Sequence, residues 1–240
     1  MDRKREAATR FVSIVARELT NRVHKIYLFG SVAKGKAAEE SDIDVLVILD
    51  RVDDRSRTIL AEAAHQIWLE YREPIEYISM DLEEYLSKRS DSPFIYEVEK
   101  YGEVLYMNQS IVRERALKLA RLAREYYEYS ERIAEQLIYR AAIDLGYNAV
   151  ELLIKALIIV SGRDLPRTHA GYIHVFGEIY VASGTIDREI IAELYRALER
   201  RNKARYDPDY EPTEIDAREI LELYRRIEDI AKRILIAEAL

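Results

Sequence analysis

Asp42 and Asp44 stand two residues apart at the head of the run "DIDVLVIL" (42–49), and "GSVAKG" (30–35) precedes them, directly after the apolar run "KIYLF" (25–29). In an extended chain, residues two apart face the same side, so the two carboxylates present together. Left alone they repel and raise each other's pKa, and no Lys or Arg stands two residues away to relieve them. A divalent cation such as Mg²⁺ resolves that conflict, because hard oxygen donors at this spacing suit it. The loop supplies the other half of the chemistry. Gly30 closes a strand, Ser31 offers a hydroxyl and a backbone N–H, and Gly35 lets the chain turn where a Cβ would obstruct it. Backbone donors aimed from such a loop hold phosphate oxygens. Neither feature is selective alone, since Gly-Ser is common turn composition and a bare Asp-x-Asp usually caps a loop. Together they point to a Mg²⁺ ion bridging nucleotide phosphates.

The elements that must carry these groups follow from apolar periodicity. A helix is expected over 2–23, with Phe11, Ile14, Val15 and Leu19 at helical spacing. Strands at 25–29 and 42–49 flank the loop 30–40, and helical spacing returns over 55–72 through Ile59, Ala63, Ile67 and Trp68. Pro74 introduces a third strand at 75–80; two short helices, 81–89 and 93–102, and a last strand, 103–107, complete a compact α/β unit. "MNQS" (107–110) reads as a linker with Ser110 capping the next helix. Helices are expected at 111–130, 132–161, 170–182, 187–205 and 214–238, broken where Gly and Pro cluster. The domains are therefore 1–107 and a helical bundle over 108–240.

Composition bounds the rest. The chain's 240 residues are enough for two modest cores, and the absence of cysteine excludes disulfides, thiolate catalysis and Cys-based zinc sites. A net charge of -7 argues against a general nucleic-acid scaffold, while leaving room for a local basic patch. No apolar run reaches the ~18 to 20 residues of a membrane span. The charged, amphipathic N-terminus lacks a signal peptide's apolar centre. A cytoplasmic protein that binds no membrane is expected.

The pattern Gly30-Ser31-x-Ala33-x-Gly35-x5-Ser41-Asp42-x-Asp44 resembles the signature of the minimal nucleotidyltransferases of the DNA polymerase β superfamily. The resemblance covers residues 1–107 and implies an α+β domain, a small mixed sheet with flanking helices. It implies Mg²⁺-dependent transfer of a nucleoside monophosphate, AMP foremost, from ATP or another nucleoside triphosphate to a hydroxyl acceptor. Asp42 and Asp44 would hold Mg²⁺, most simply as a two-ion site, and Gly30, Ser31, Lys34 and Ser41 would line the nucleotide's phosphates. Lys34 stands where Arg is frequent in the family; it keeps the charge and loses the planar fork. The family also implies a third carboxylate on the next strand. Glu76 is the first choice, where many relatives have Asp, and Glu73 and Asp81 are the alternatives. Glu76 would complete the second metal site or accept the acceptor's proton.

The segments "GYNAVELLIKAL" and "RNKARYDP" (201–208) and the helix order resemble a HEPN domain over 111–238. Within the first, Gly146 and Ala149 permit close helix approach, and Glu151 and Lys155 form an i,i+4 pair. HEPN ribonucleases carry an Arg-x4–6-His pair. Here Arg201 is followed by Asn202, Lys203, Ala204, Arg205 and Tyr206, with no histidine, so ribonuclease activity is expected to be weak or absent. Read from composition alone, Arg201 and Arg205 form a solvated basic helix end. In two-gene toxin–antitoxin systems of this kind the transferase attaches AMP to a tyrosine near that motif, which makes Tyr206 or Tyr210 a candidate acceptor. Two other readings remain at this point: a small-molecule, antibiotic-type acceptor, and a nucleotide-binding or dimerising module. A homodimer through the helical domain is expected, and Ile154, Leu157 and Ile158 serve such an interface as well as they serve a core.

Overall fold

The run Ile43–Leu49 forms β2, and its unbroken apolar character has a simple cause: both of its faces are covered. The computed structural model describes residues 3–89 and 91–237, in two compact units, 1–111 and 112–240. The first unit contains α1 (Arg3–Glu18), β1 (Val23–Phe29), α2 (Gly30–Ala33), β2, α3 (Asp54–Tyr71), β3 (Ile75–Asp81), α4 (Leu82–Lys88), α5 (Pro93–Tyr101) and β4 (Glu103–Met107). The sheet runs β3-β2-β1-β4. β1 is antiparallel to β2 and to β4, whereas β2 and β3 are parallel, with α3 as the crossover that a parallel pair requires.

Alternation sorts the strands between two cores. Ile43, Val45, Val47 and Leu49 pack with Ile26 and Leu28 against Phe11 and Val15 of α1 and Leu60 and Ile67 of α3. Leu46 and Ile48 pack on the opposite face with Tyr27, Met80, Tyr85, Ile95 and Val98, where α4 and α5 cover the sheet. Asp44 belongs to that second face by its position in the strand, one step beyond Leu46.

Several expected boundaries move. α1 stops at Glu18, short of 23, because Asn21 takes φ 63° in a turn that starts β1 at Val23. Asp42 lies just outside β2, and the segment expected to be all loop contains the four-residue α2. Asn108, not Ser110, caps the next helix: its Oδ1 accepts from the backbone N–H of Ser110 and Ile111 at 3.2 and 3.3 Å. That helix, α6 (Gln109–Glu135), runs past residue 130 and ends where Leu137 turns with φ 62°.

In the second unit α7 (Tyr139–Val160) is the central helix, packed by α8 (His169–Phe176), α9 (Glu189–Tyr206) and α10 (Glu214–Ala237), and tied to α6 where the Ser130 hydroxyl donates to the Ala142 carbonyl at 2.7 Å. α8 continues into a π-helical turn, Gly177–Val181. Gly146 has the role its size suggests. A Cβ there would lie 2.9 Å from Ile220 of α10 and 3.0 Å from the Ser130 hydroxyl of α6. Ile154, Leu157 and Ile158 are buried in this unit's own core, so these three are not available as a dimer face. Among the described residues no helix is long and apolar enough to cross a membrane.

Candidate active site

The parallel register of β2 and β3 places Asp44 directly opposite Glu76, and the antiparallel register of β1 places Phe29 opposite Asp44. One row across the end of the sheet therefore reads Glu76, Asp44, Phe29. Gly30 follows Phe29 with φ +70°, and its Cα abuts the Asp44 carboxylate so closely that a Cβ would fall 1.9 Å from Oδ2. A side chain at position 30 would occupy the carboxylate's own space, which is the physical reason for glycine there. Gly30→Ala is expected to leave the unit folded and to lower transfer about a hundredfold, the scale of an ångström of misplacement at a reacting centre. An initial-rate comparison checks it, and a rate within threefold of wild type contradicts the packing argument.

Burial raises the Asp44 carboxyl above its ordinary range, and the charges of Glu76 and Asp42 raise it further. Among the described residues no Lys, Arg or His pairs with Asp42, Asp44 or Glu76. The donor set is carboxylate oxygen throughout, which suits a hard divalent cation. Among the described residues no group of three or more Asp, Glu or His side chains is arranged to hold a metal ion. Mg²⁺ asks for less than that from a protein, typically one or two carboxylates, with substrate phosphates and water completing its shell.

The alternatives for the third carboxylate lie elsewhere. Lys4 holds Glu73 at 2.5 Å and also donates to the Ser41 carbonyl at 2.7 Å. Asp81 sits opposite Leu49 at the far end of the sheet and accepts from the Val52 N–H. Lys4 is a contributor the sequence reading missed. It is buried, and it ties the loop entering β2 to the chain entering β3, so Asp42 and Glu76 arrive together. Ser41 closes its own loop, its hydroxyl accepting from the Ala38 N–H at 2.9 Å. Ser31 is partly exposed at the start of α2, and Lys34 at its end pairs with Glu97 at 3.3 Å and lies 5.1 Å from the Tyr101 ring.

In the second unit the Arg201 side chain is not a solvated helix end. It is 4% exposed, donates through Nε to Asp144 at 3.1 Å and through Nη1 to the Asn202 side chain at 3.1 Å, and stands 5.9 Å from the Tyr147 ring. Arg205 reaches the same Asp144 at 3.9 Å and lies 5.9 Å over the ring of Tyr206. Tyr206 is 70% exposed. Tyr210 differs: its hydroxyl is buried, and burial, then Asp216, pushes it above the usual phenol range. Glu151 is more than the exposed-helix pair its spacing suggests. It is 5% exposed, takes Lys155 at 2.7 Å, and also binds Nδ1 of His169 from α8. Tyr147 packs against His169 with ring centroids 6.2 Å apart, so one buried phenol neighbours both Arg201 and His169.

Sequence reasoning also missed Arg140. Its guanidinium donates to the carbonyls of Ala204 at 2.7 Å and Asp207 at 3.0 Å and to that of Tyr210, closing the C-terminal end of α9. The segment carrying Arg205 and Tyr206 is thus fixed from the start of α7.

Residues 14–111 match the family "Polymerase beta, Nucleotidyltransferase", and residues 116–234 match "HEPN domain". Two relatives from Methanocaldococcus jannaschii each align with part of the chain. One, named "Putative protein adenylyltransferase", is 34% identical over 101 residues, covering 42% of this chain and 96% of its own. The other, named "Putative toxin", is 31% identical over 110 residues, covering 46% of this chain and 81% of its own. Among solved structures, a toxin-antitoxin with AMP-PNP aligns at 20% identity and a TM-score of 0.32, over 54% of this chain and 98% of that one. A spectinomycin adenyltransferase from Enterococcus faecialis, with ATP and spectinomycin, aligns at 15% identity and a TM-score of 0.36, over 95% of this chain and 99% of that one. TM-scores this low carry no statement about a shared fold. The family matches and the identity to the two archaeal relatives carry the assignment, and on them this chain belongs to the polymerase β-type nucleotidyltransferases, with a HEPN domain following in the same polypeptide.

Proposed function

We propose that the first unit transfers AMP from ATP to a hydroxyl acceptor, and that the acceptor is a protein tyrosine, Tyr206 of the HEPN domain being the candidate within this chain. The observation that carries the donor half is the row Glu76–Asp44 with Gly30 pressed against the Asp44 carboxylate. Asp42 and Asp44 would hold Mg²⁺, which when bound screens the phosphate charge and acts as a Lewis acid on the phosphoryl oxygens. Ser31 offers its hydroxyl and backbone N–H to the phosphates, and Gly30 leaves the space that the Asp44 carboxylate occupies beside them. Glu76, exposed on the sheet's edge strand, would complete the second metal site or take the acceptor's proton. The acceptor oxygen then bonds to the α-phosphorus as the bond to the bridging oxygen breaks, and pyrophosphate leaves.

The names of the two archaeal relatives, a protein adenylyltransferase and a toxin, support a protein acceptor in a toxin–antitoxin setting. Exposure favours Tyr206 over Tyr210, because a buried hydroxyl cannot reach a phosphorus atom in line. The test is intact-mass measurement after incubation with ATP and Mg²⁺. An added AMP mass that disappears in Tyr206→Phe and persists in Tyr210→Phe is expected. No added mass, or one that survives both replacements together, defeats the tyrosine acceptor within this chain. Transfer to a small hydroxylated compound in place of protein would then mark the antibiotic-type reading.

A further inference from the structure

Among the described residues of the first unit, one lysine near the end of the sheet is held by two phenols and by no carboxylate. Lys100, near the end of α5, donates to the Tyr96 hydroxyl at 3.0 Å and lies 5.2 Å from the Tyr96 ring and 5.0 Å from that of Tyr101. Those two phenols, hydrogen-bonding first and their charge second, hold its ammonium above the ordinary lysine range. The acidic side chains on either side are engaged elsewhere. Glu99 binds Arg89 and Tyr85, and Glu103 binds Arg5. Among the described residues no Asp or Glu pairs with Lys100. Lys34 shares the Tyr101 ring with it, at 5.1 Å, and its one counter-charge is the half-exposed Glu97.

The backbone fixes where this pair of ammonium groups sits. Glu103, two residues beyond Tyr101, pairs with Leu28, next to Phe29 in the row that carries Asp44 and Glu76. Lys34 is four residues beyond Gly30, at the end of α2. Crossing the end of the sheet from β3, one therefore meets the carboxylates first, then Gly30, and then the lysines over Tyr101. The carboxylate side alone repels a polyanion, so the substrate's phosphate tail needs positive charge on the other side.

We propose that Lys100, set over Tyr101, joins Lys34, which the family resemblance already implies along the phosphates, in holding the β- and γ-phosphates and the pyrophosphate that leaves. The proposal rests on the transfer reading of this unit and adds the residues that hold the leaving group. As the bond between the α-phosphorus and the bridging oxygen breaks, the electron pair stays with pyrophosphate, and the two ammonium groups neutralise the charge gained there. Tyr96 and Tyr101 act as positioning residues, keeping Lys100 extended over the ring and away from solvent-exposed carboxylates.

Calorimetric titration of the full chain with inorganic pyrophosphate in Mg²⁺ buffer tests this, with AMP as the ligand lacking the tail. In Lys100→Gln the pyrophosphate Kd is expected to rise about tenfold, the loss of one charge-assisted contact, while the AMP Kd moves less than about twofold. Lys100→Arg, which keeps the charge, is expected to restore most of the binding. Unchanged pyrophosphate affinity in both Lys100→Gln and Lys34→Gln/Lys100→Gln, with circular dichroism showing folded protein, overturns the subsite. The same unchanged affinity in a chain that still transfers AMP sinks the subsite and spares the transfer reading. The expected pattern in a chain that transfers no nucleotide supports the subsite and sinks the transfer reading.

Discussion

Asp42→Asn/Asp44→Asn is expected to lower nucleotidyl transfer by about a thousandfold or more and, at neutral pH, to raise thermal stability. The activity loss follows from removing both charged oxygen donors beside Glu76, at a site where electrostatics supplies most of the rate. The stability gain follows from the direction of the Asp44 shift. Its folded-state pKa lies above the unfolded value, through burial and then the charges of Glu76 and Asp42. A carboxyl shifted that way costs stability once ionised. The cost grows as pH rises through the interval between the two values, and it is absent below the unfolded one. The difference in Tm between the variant and wild type should therefore shrink as pH falls toward the ordinary aspartate range. Labelled nucleoside triphosphates with Mg²⁺ read the activity, and a thermal melt across pH reads the stability. Equal labelling by both proteins removes the central assignment, whereas a less stable variant removes only the electrostatic account of Asp44.

Arg140→Met is the second large effect, this time on the helical unit. Methionine keeps most of the apolar stem and removes every donor, leaving the carbonyls of Ala204, Asp207 and Tyr210 without the guanidinium. Hydrogen bonds to a charged group contribute roughly 1.5–3 kcal/mol each. Partial exposure of the guanidinium reduces that, so a loss of about 3 kcal/mol in chemical denaturation is expected. A change under about 0.5 kcal/mol, the range of an ordinary surface replacement, would show that the carbonyls find water at no cost. Because the same clasp fixes the turn after Tyr206, AMP labelling of that residue should fall along with the stability.

What the sequence reveals, and what it conceals, divides by range of interaction. The strands and most helices follow from apolar spacing because each is a local decision, and the Gly-Ser and Asp-x-Asp groups are visible because they lie on one short stretch. The sequence ranks Glu76 ahead of Glu73 and Asp81, but its pairing with Asp44 is a matter of register between β2 and β3, which no local pattern encodes. Lys4 and Arg140 were invisible for the same reason. Lys4 reaches across 69 positions to Glu73, and Arg140 across 64 to Ala204. Both read as ordinary surface cations until the fold brings their acceptors to them. Arg201 failed in the opposite sense, since a basic run at a helix end looks solvated while its first arginine is drawn inside by Asp144. At the end of α6 the apolar pair Leu137–Ile138 disguised a turn as helix, because both side chains are exposed where their composition promises burial.

Glu76 is carried on the outermost strand of the sheet, and its side chain is exposed. Asp44, by contrast, is walled in by Gly30 and the strands on either side. Exchange of glutamate for aspartate at 76 therefore leaves the interior untouched, while a larger side chain at 44 or 30 meets the other at once. Of the two carboxylates proposed for one site, that at 76 is free to drift under selection for a new acceptor, and that at 44 is confined by the backbone packed around it.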